Sequence, residues 1–525
     1  MKHNLLHLTL VSLLLCLSFL VSCAGGCGTP EESSSESQTE SQSRPDVSRP
    51  ESDSETVPVG EQFLFSHTED GEGLILVKAA ADLEHAAVPA LYGEKPVVEV
   101  AAWAFSDCRG LVSVTLPETV TSVGEGAFYG CALLGGVDLS HVTSLGEYAF
   151  YGCVSLAFAT LPSDREVILG REIFGGTALL EGGMENGLLY VGPHLLSVDS
   201  TVTSATVKEG TLSLADGAFE GCVGIGEISL PASVRYVGSD LFRGCRNLTR
   251  LTLLCPLEKL PDAMLADCLG LREITLPEGL AEVGAGAFAG CTYLEQVTLP
   301  STLLVIEDEA FMGCTALTEI NLPEGLTGIG TQAFFGCAGL SLVTVPATVT
   351  EIGRDAFKGT AMEANRENWE MGGLYIGTRL VAVDTAYKGT FTVKDGTTHV
   401  GEAAFFGAEG IREVKLPTSL LVIEDQAFLG LTALTAVNIP EGVTSLGAFS
   451  FWGCSSLTEL TLPESVTHVG RRCFESCTSL ASLTIPGEGW TVSKDGALTK
   501  GGTDTPVNLS DPAQNAVIYR GKWRS

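Results

Sequence analysis

Residues Cys291 to Phe311 read CTYLEQVTLPSTLLVIEDEAF, and their spacing decides the fold. Leu294, Val297 and Leu299 follow an LxxVxL pattern that points its apolar side chains inward, and Pro300 turns the chain. Leu304 and Ile306 then form a second apolar pair, and Ala310-Phe311 close the unit. So short a unit cannot bury its own apolar residues. Stacked on copies of itself it can, because LxxVxL strands pair in parallel at about 4.8 Å per unit and proline ends each strand where no donor is needed.

The copies are present. Phe followed three residues later by Cys recurs at Phe128 and Cys131, Phe150 and Cys153, Phe219 and Cys222, Phe242 and Cys245, Phe288 and Cys291, Phe311 and Cys314, and Phe334 and Cys337. Thr177 and Thr360, Ala408 and Leu431 then take the Cys place before Cys454 and Cys477 restore it. With Phe105 first, Phe474 last and Leu265 standing in for Phe, the period is 23 almost throughout, broken by long steps of 45 and 48. The expected fold is a β-rich solenoid of about fifteen leucine-rich repeats, its parallel strands stacked in a curved array roughly 70 Å along the axis.

The long steps resemble each other. Gly187-Leu-Leu-Tyr-Val-Gly192 and Leu195 to Asp199 correspond to Gly372 to Gly377 and Leu380 to Asp384, and each runs into Thr-Val-Lys-acid-Gly, at Thr206 and Thr392. Each reads as an inserted hairpin, near 181–210 and 363–396, with Gly at its turn. The insertions divide the solenoid into three blocks. They are either contact loops or patches for a change in curvature.

The pattern LxxVxLPxxVTxVGxxAFxGC, seen from Leu111 to Cys131 and in altered form from Leu457 to Cys477, resembles the BspA-like leucine-rich repeats of bacterial surface proteins. The similarity covers about 75–486. It implies an atypical opening repeat at Val88 to Val100, a closing segment in the tail containing Val507 to Asn515, and a noncatalytic binding or adhesion protein displayed outside the cell. It names no ligand.

The flanks read differently. Lys2 followed by an apolar run from Leu5 to Val21 makes 1–22 an export signal, and Leu20-Val21-Ser22-Cys23 resembles a bacterial lipobox, with Cys23 as the lipid attachment. Residues 23–58 are rich in Ser, Glu, Gln and Pro and read as a disordered tether. Residues 59–104 form an N-terminal capping segment with the opening repeat, 105–486 the solenoid, and 487–525 a C-terminal capping segment. The expected location is extracytoplasmic, on a bacterial membrane and held through the N-terminal lipid only.

Composition narrows the function. Of 525 residues 45% are hydrophobic and 18% charged, enough for a core, and 30 Lys plus Arg stand against 64 Asp plus Glu. A net charge of -34 repels phosphate backbones, so nucleic acid is excluded. Eleven of the sixteen cysteines share one repeat position, where neighbouring Cβ atoms stay about 4.8 Å apart rather than closing to the roughly 3.8 Å of a disulfide. They read as buried free thiols, leaving Cys27, Cys255 and Cys473 without explanation. The eight His are scattered, with no HExxH, GxSxG or P-loop spacing, and the sequence offers no metal site, no cofactor and no catalytic residue.

Two outward sets remain as candidate ligand contacts. In the strand pattern one column contains Glu227, Glu273 and Glu319 and its neighbour Thr298 and Asn321, a flat polar strip. It suits a glycan or a protein, or it is a solvated face with Thr chosen for β propensity. The second set follows each repeat Phe: Tyr129, Tyr151, Phe335, Phe406 and Trp452, either exposed anchors or packing between neighbouring coils. The favoured reading is a surface-displayed binding or adhesion protein whose partner is an extracellular protein, bacterial surface or glycan. A cell-envelope scaffold or interaction lipoprotein is the alternative, and an unrecognised hydrolase the third.

Overall fold

Each repeat makes one turn of a β-solenoid from two short strands and two left-handed corners. In the computed structural model the described residues are 57–59, 62–106, 108–346, 348–492, 497–502 and 505–506, all within the compact unit Ser54–Ser525. The export signal, Cys23, Cys27, nearly all of the tether and most of the closing tail lie outside them. About eighteen turns form, more than the fifteen Phe-type sites, because the opening strands and both inserted hairpins join the same ladders.

The LxxVxL strands stack in parallel and in register, Glu227 beside Arg250, Glu273 beside Gln296 and Glu319 beside Leu342. A second parallel ladder runs through Lys259–Leu260, Glu282–Val283, Val305–Ile306, Gly328–Ile329 and Glu351–Ile352. Here the sequence reading needs one correction. Leu304 is exposed, and the inward pair is Leu303 and Ile306. The turn is closed by the Leu303 N–H donating to the Pro300 carbonyl at 3.3 Å, so Leu303 enters the core before the second strand begins.

Left-handed corners follow from hydrogen bonding between coils. Glu309, Gln332, Asp355 and Gln426 hold φ of 57°, 56°, 55° and 56°, which costs a non-glycine residue about 1–2 kcal/mol. In return the Glu309 N–H donates to the Thr331 carbonyl at 2.8 Å and the Gln332 N–H to the Arg354 carbonyl at 2.9 Å. Glu309 is exposed and the other three are half-buried, the Asp355 carboxylate pairing with Lys358 at 3.1 Å.

Inside, the repeat Phe rings stack coil upon coil, with centroids 5.0 Å apart for Phe288 and Phe311 and 5.3 Å for Phe311 and Phe334. Offset stacking at this distance matches the strand spacing, so one residue type satisfies ladder and core together. The buried core runs unbroken past the first insertion and divides at the second, between Ile376 and Leu380. Both ends of the main ladder are closed by antiparallel strands, Phe63–His67 on Leu74–Ala79 and Leu498–Lys500 on His468–Val469, which leaves no open parallel edge there.

At each long step a short helix, Ala178–Gly183 or Ala361–Ala364, leads into an antiparallel hairpin, Leu188–Val191 with His194–Val198 or Gly373–Ile376 with Arg379–Val383. Thr177 and Thr360 explain why Cys is absent just there. Each hydroxyl donates to the carbonyl of its own Phe, 2.7 Å away in both coils, and accepts the N–H of Leu180 or Glu363 as the helix N-cap. The shared Thr-Val-Lys motif is a clasp: the Lys208 N–H donates to the Tyr190 hydroxyl at 3.1 Å while its ammonium pairs with Glu185. Lys394 repeats this on Tyr375 and Glu370.

Candidate functional site

The two outward strand columns recur coil after coil on the LxxVxL strands, which pair two or three at a time. Alternation turns Ile228, Ile274 and Ile320 into the core, so Glu227, Glu273 and Glu319, with Thr298 and Asn321, stand exposed on one face. Among the described residues no hydrogen bond or ion pair within the protein engages these five side chains. Glu413, further along, differs: it is half-buried and accepts a hydrogen bond from the Thr390 hydroxyl at 2.8 Å.

Sequence reasoning missed that the face is not uniformly polar. Phe158 and Leu342 occupy the Glu column and are 63% and 62% exposed. Phe158 lies across Gly136 in the neighbouring strand, where an added Cβ would meet the ring at 2.2 Å. Counting the 23-residue period across every coil would have found both, since the position is the same.

The post-Phe set does not act as one group. Tyr129 and Tyr151 stack on each other at 5.3 Å, and Trp103 lies 5.6 Å from Tyr129, so these rings pack between neighbouring coils. Phe335 is half-buried. Phe406 and Trp452 are 60% and 38% exposed and, among the described residues, have no ring partner. All five belong to the corner turns, whereas Glu227, Glu273, Thr298, Glu319 and Asn321 belong to strands, so the structure keeps the two sets apart.

The cysteine column is structural. All thirteen described cysteines are buried. Eight of these thiols donate to the carbonyl of the preceding coil's Phe, as Cys314 does to Phe288 at 3.2 Å and Cys337 to Phe311 at 3.0 Å, and Cys291 donates to Leu265, which stands in the Phe place. Burial pushes the thiols of Cys245 and Cys291 up to about 12, so they stay protonated. Cys473 takes the Ala place before Phe474 and lies 3.1 Å from Ser450 one coil earlier; Cys255 is buried as well. Among the described residues no group of three or more His, Cys, Asp or Glu is placed to hold a metal ion, and no helix is long and apolar enough to cross a membrane.

Two ladders per 23-residue turn, a Phe stack and a thiol column define a repeat type, and a family model for the BspA type leucine rich repeat region matches residues 90–196, 190–314, 255–363 and 387–496. The chain belongs to that family. Several solved leucine-rich repeat structures are similar to the chain at low identity. A leucine-rich repeat protein from Bacteroides ovatus is 23% identical, covering 81% of this chain and 93% of its own, with a TM-score of 0.32. A leucine rich cell surface protein from Faecalibacterium prausnitzii is 21% identical over 82% of this chain and 95% of its own, TM-score 0.26. The pneumococcal vaccine antigen PcpA is 16% identical over 82% of each chain, TM-score 0.22. No curated protein matches the chain.

Proposed function

We propose that this BspA-type solenoid is a noncatalytic surface protein, anchored by lipid on Cys23, that binds an extracellular macromolecule through the outward face of its strand ladder. The observation that carries the reading is the row of exposed, internally unengaged side chains at Glu227, Glu273, Thr298, Glu319 and Asn321, set in register by the ladder. Repeated polar groups at strand spacing suit a protein or glycan of extended form, and affinity comes from area rather than from a deep pocket. The F. prausnitzii protein's description as a cell surface protein supports the location. So does the sequence of the N-terminal segment, with its apolar run from Leu5 to Val21 leading to Ser22-Cys23.

The test is a screen of the soluble chain from Ser54 onward on arrays of glycans and extracellular-matrix proteins, with salt titration to remove binding by charge alone. A saturable hit lost on Glu319→Ala places the ligand on the strand face, and one lost on Trp452→Ala places it on the corner turns. Silence on every array, with copurification of envelope material, would replace this reading with that of an envelope scaffold.

A further inference from the structure

The two insertions are close copies, and one difference between them opens a cleft. In the second, Gly389–Thr392 forms a strand that pairs in parallel with Ile411–Lys415, and the Val393 N–H donates to the Lys415 carbonyl at 2.9 Å. Phe391 anchors that strand, fully buried and edge-on to Phe405 at 5.3 Å. In the first insertion the matching residue is Ala205, and one residue fewer separates Asp199 from Thr206 than separates Asp384 from Thr392. The anchor is missing and the tether shorter, and no strand forms there.

The consequence falls on Glu227–Leu230. Among the described residues this strand pairs only with Arg250–Leu253. The Leu254 N–H donates to the Leu230 carbonyl and the Arg250 N–H to the Gly226 carbonyl, so even-numbered residues face that partner. Alternation in a parallel ladder then turns the N–H and C=O of Glu227 and Ser229 toward the empty side. Beside them lies a cleft of about 320 Å³, walled by Ala205, Thr206 and Glu209 opposite Glu227 and Ser229, with Arg250 at its far side. It is closed at one end, where a Cβ on Gly224 would meet the Val202 carbonyl at 2.4 Å.

We propose that this cleft receives an extended peptide segment bearing Lys or Arg, which pairs through its main chain with Glu227 and Ser229 and sets its cation between the Glu209 and Glu227 carboxylates. An unpaired strand edge is a template for strand addition. The two carboxylates favour a basic strand, and the chain's net charge of -34 disfavours a second copy of itself as occupant. The inference rests on the ladder face being a binding surface and names one class of partner for it.

A labelled peptide of about eight residues, alternating valine and lysine, is titrated with the chain from Ser54 onward by fluorescence anisotropy at about 0.15 M salt. Saturable binding is expected, weakened about tenfold or more by Ala205→Phe, which supplies the anchor that Phe391 provides in the second insertion and lets a strand of the chain itself take the edge, and by N-methylation of the peptide main chain. Glu227→Lys, on an exposed side chain, keeps the fold and shifts preference toward a valine-glutamate peptide. Equal binding of the N-methylated peptide, or no binding at all, overturns the inference. If the array hit that depends on Glu319 or Trp452 persists when the peptide does not bind, only the peptide proposal falls; if both vanish, the surface-binding reading falls with it.

Discussion

His194 and Arg379 occupy the same place in the two insertions, at the start of the second hairpin strand, and each reaches back to a main-chain carbonyl of the preceding block. His194 Nε2 lies 2.7 Å from the Pro162 oxygen, and Arg379 Nη2 bonds the Thr350 oxygen. Arg379 also forms an ion pair with Glu424, two coils onward, without an aligned hydrogen bond at Nη1. Burial lowers its pKa to about 10, so it remains charged at neutral pH. Each side chain thereby gives a main-chain carbonyl of the preceding block a hydrogen-bond partner.

Arg379→Ala leaves the Glu424 carboxylate and the Thr350 carbonyl without this partner at the point where the core divides. The expected loss is about 3 kcal/mol, the scale for breaking one side of a buried pair. Hydrogen exchange should show the coils after Leu380 opening before those preceding Ile376. Uniform loosening of both blocks would mean that Arg379 does not join them.

Acid should act through the histidines. Burial lowers the pKa of His194, whose Nδ1 has no hydrogen-bond partner among the described residues, and burial together with the Arg379 guanidinium lowers His399 to about 4. Unfolded His takes its proton near 6.5, so each contribution is constant above about pH 6.5, is lost as pH falls below it, and for His399 levels out below about 4. Burial raises the carboxyls of Glu99, Asp216 and Glu402, which act in the opposite sense. The histidine share is therefore read as a difference: between pH 7.5 and 5, urea stability should fall less in His399→Asn than in the parent chain.

The thiol column should be silent to reagents. At about pH 8 a small alkylating agent should modify none of the thirteen described cysteines in the folded chain and all of them after denaturation, by mass spectrometry. Cys314→Ala should cost about 1–2 kcal/mol through the lost bond to Phe288 and a small cavity. Rapid labelling of Cys291 in the native state would show that the coils part more easily than their packing implies.

Thr360 closes a block rather than continuing the column. Thr360→Ala should cost about 1 kcal/mol from the lost cap of Ala361–Ala364, and Thr360→Ser should recover most of it. Thr360→Cys is the discriminating variant. A stability equal to the parent's would mean that the slot, and not the cap, selects the residue.

The period of 23, the inward Leu and Phe residues, the buried thiols and the outward Glu and Thr columns were legible in the sequence because each depends on local alternation and on a neighbour that is another copy of the same unit. Leu304 was misread because alternation says nothing about where a turn ends; the Leu303 to Pro300 hydrogen bond decides which leucine enters. The division between Ile376 and Leu380, the back-bonds of His194 and Arg379, and the unpaired edge at Glu227 and Ser229 belong to the tertiary structure. They arise where a coil meets something other than its own copy. There the outcome turns on whether one side chain, Phe391 or Ala205, holds a strand against its neighbour, and a repeat pattern alone carries no information about that contact.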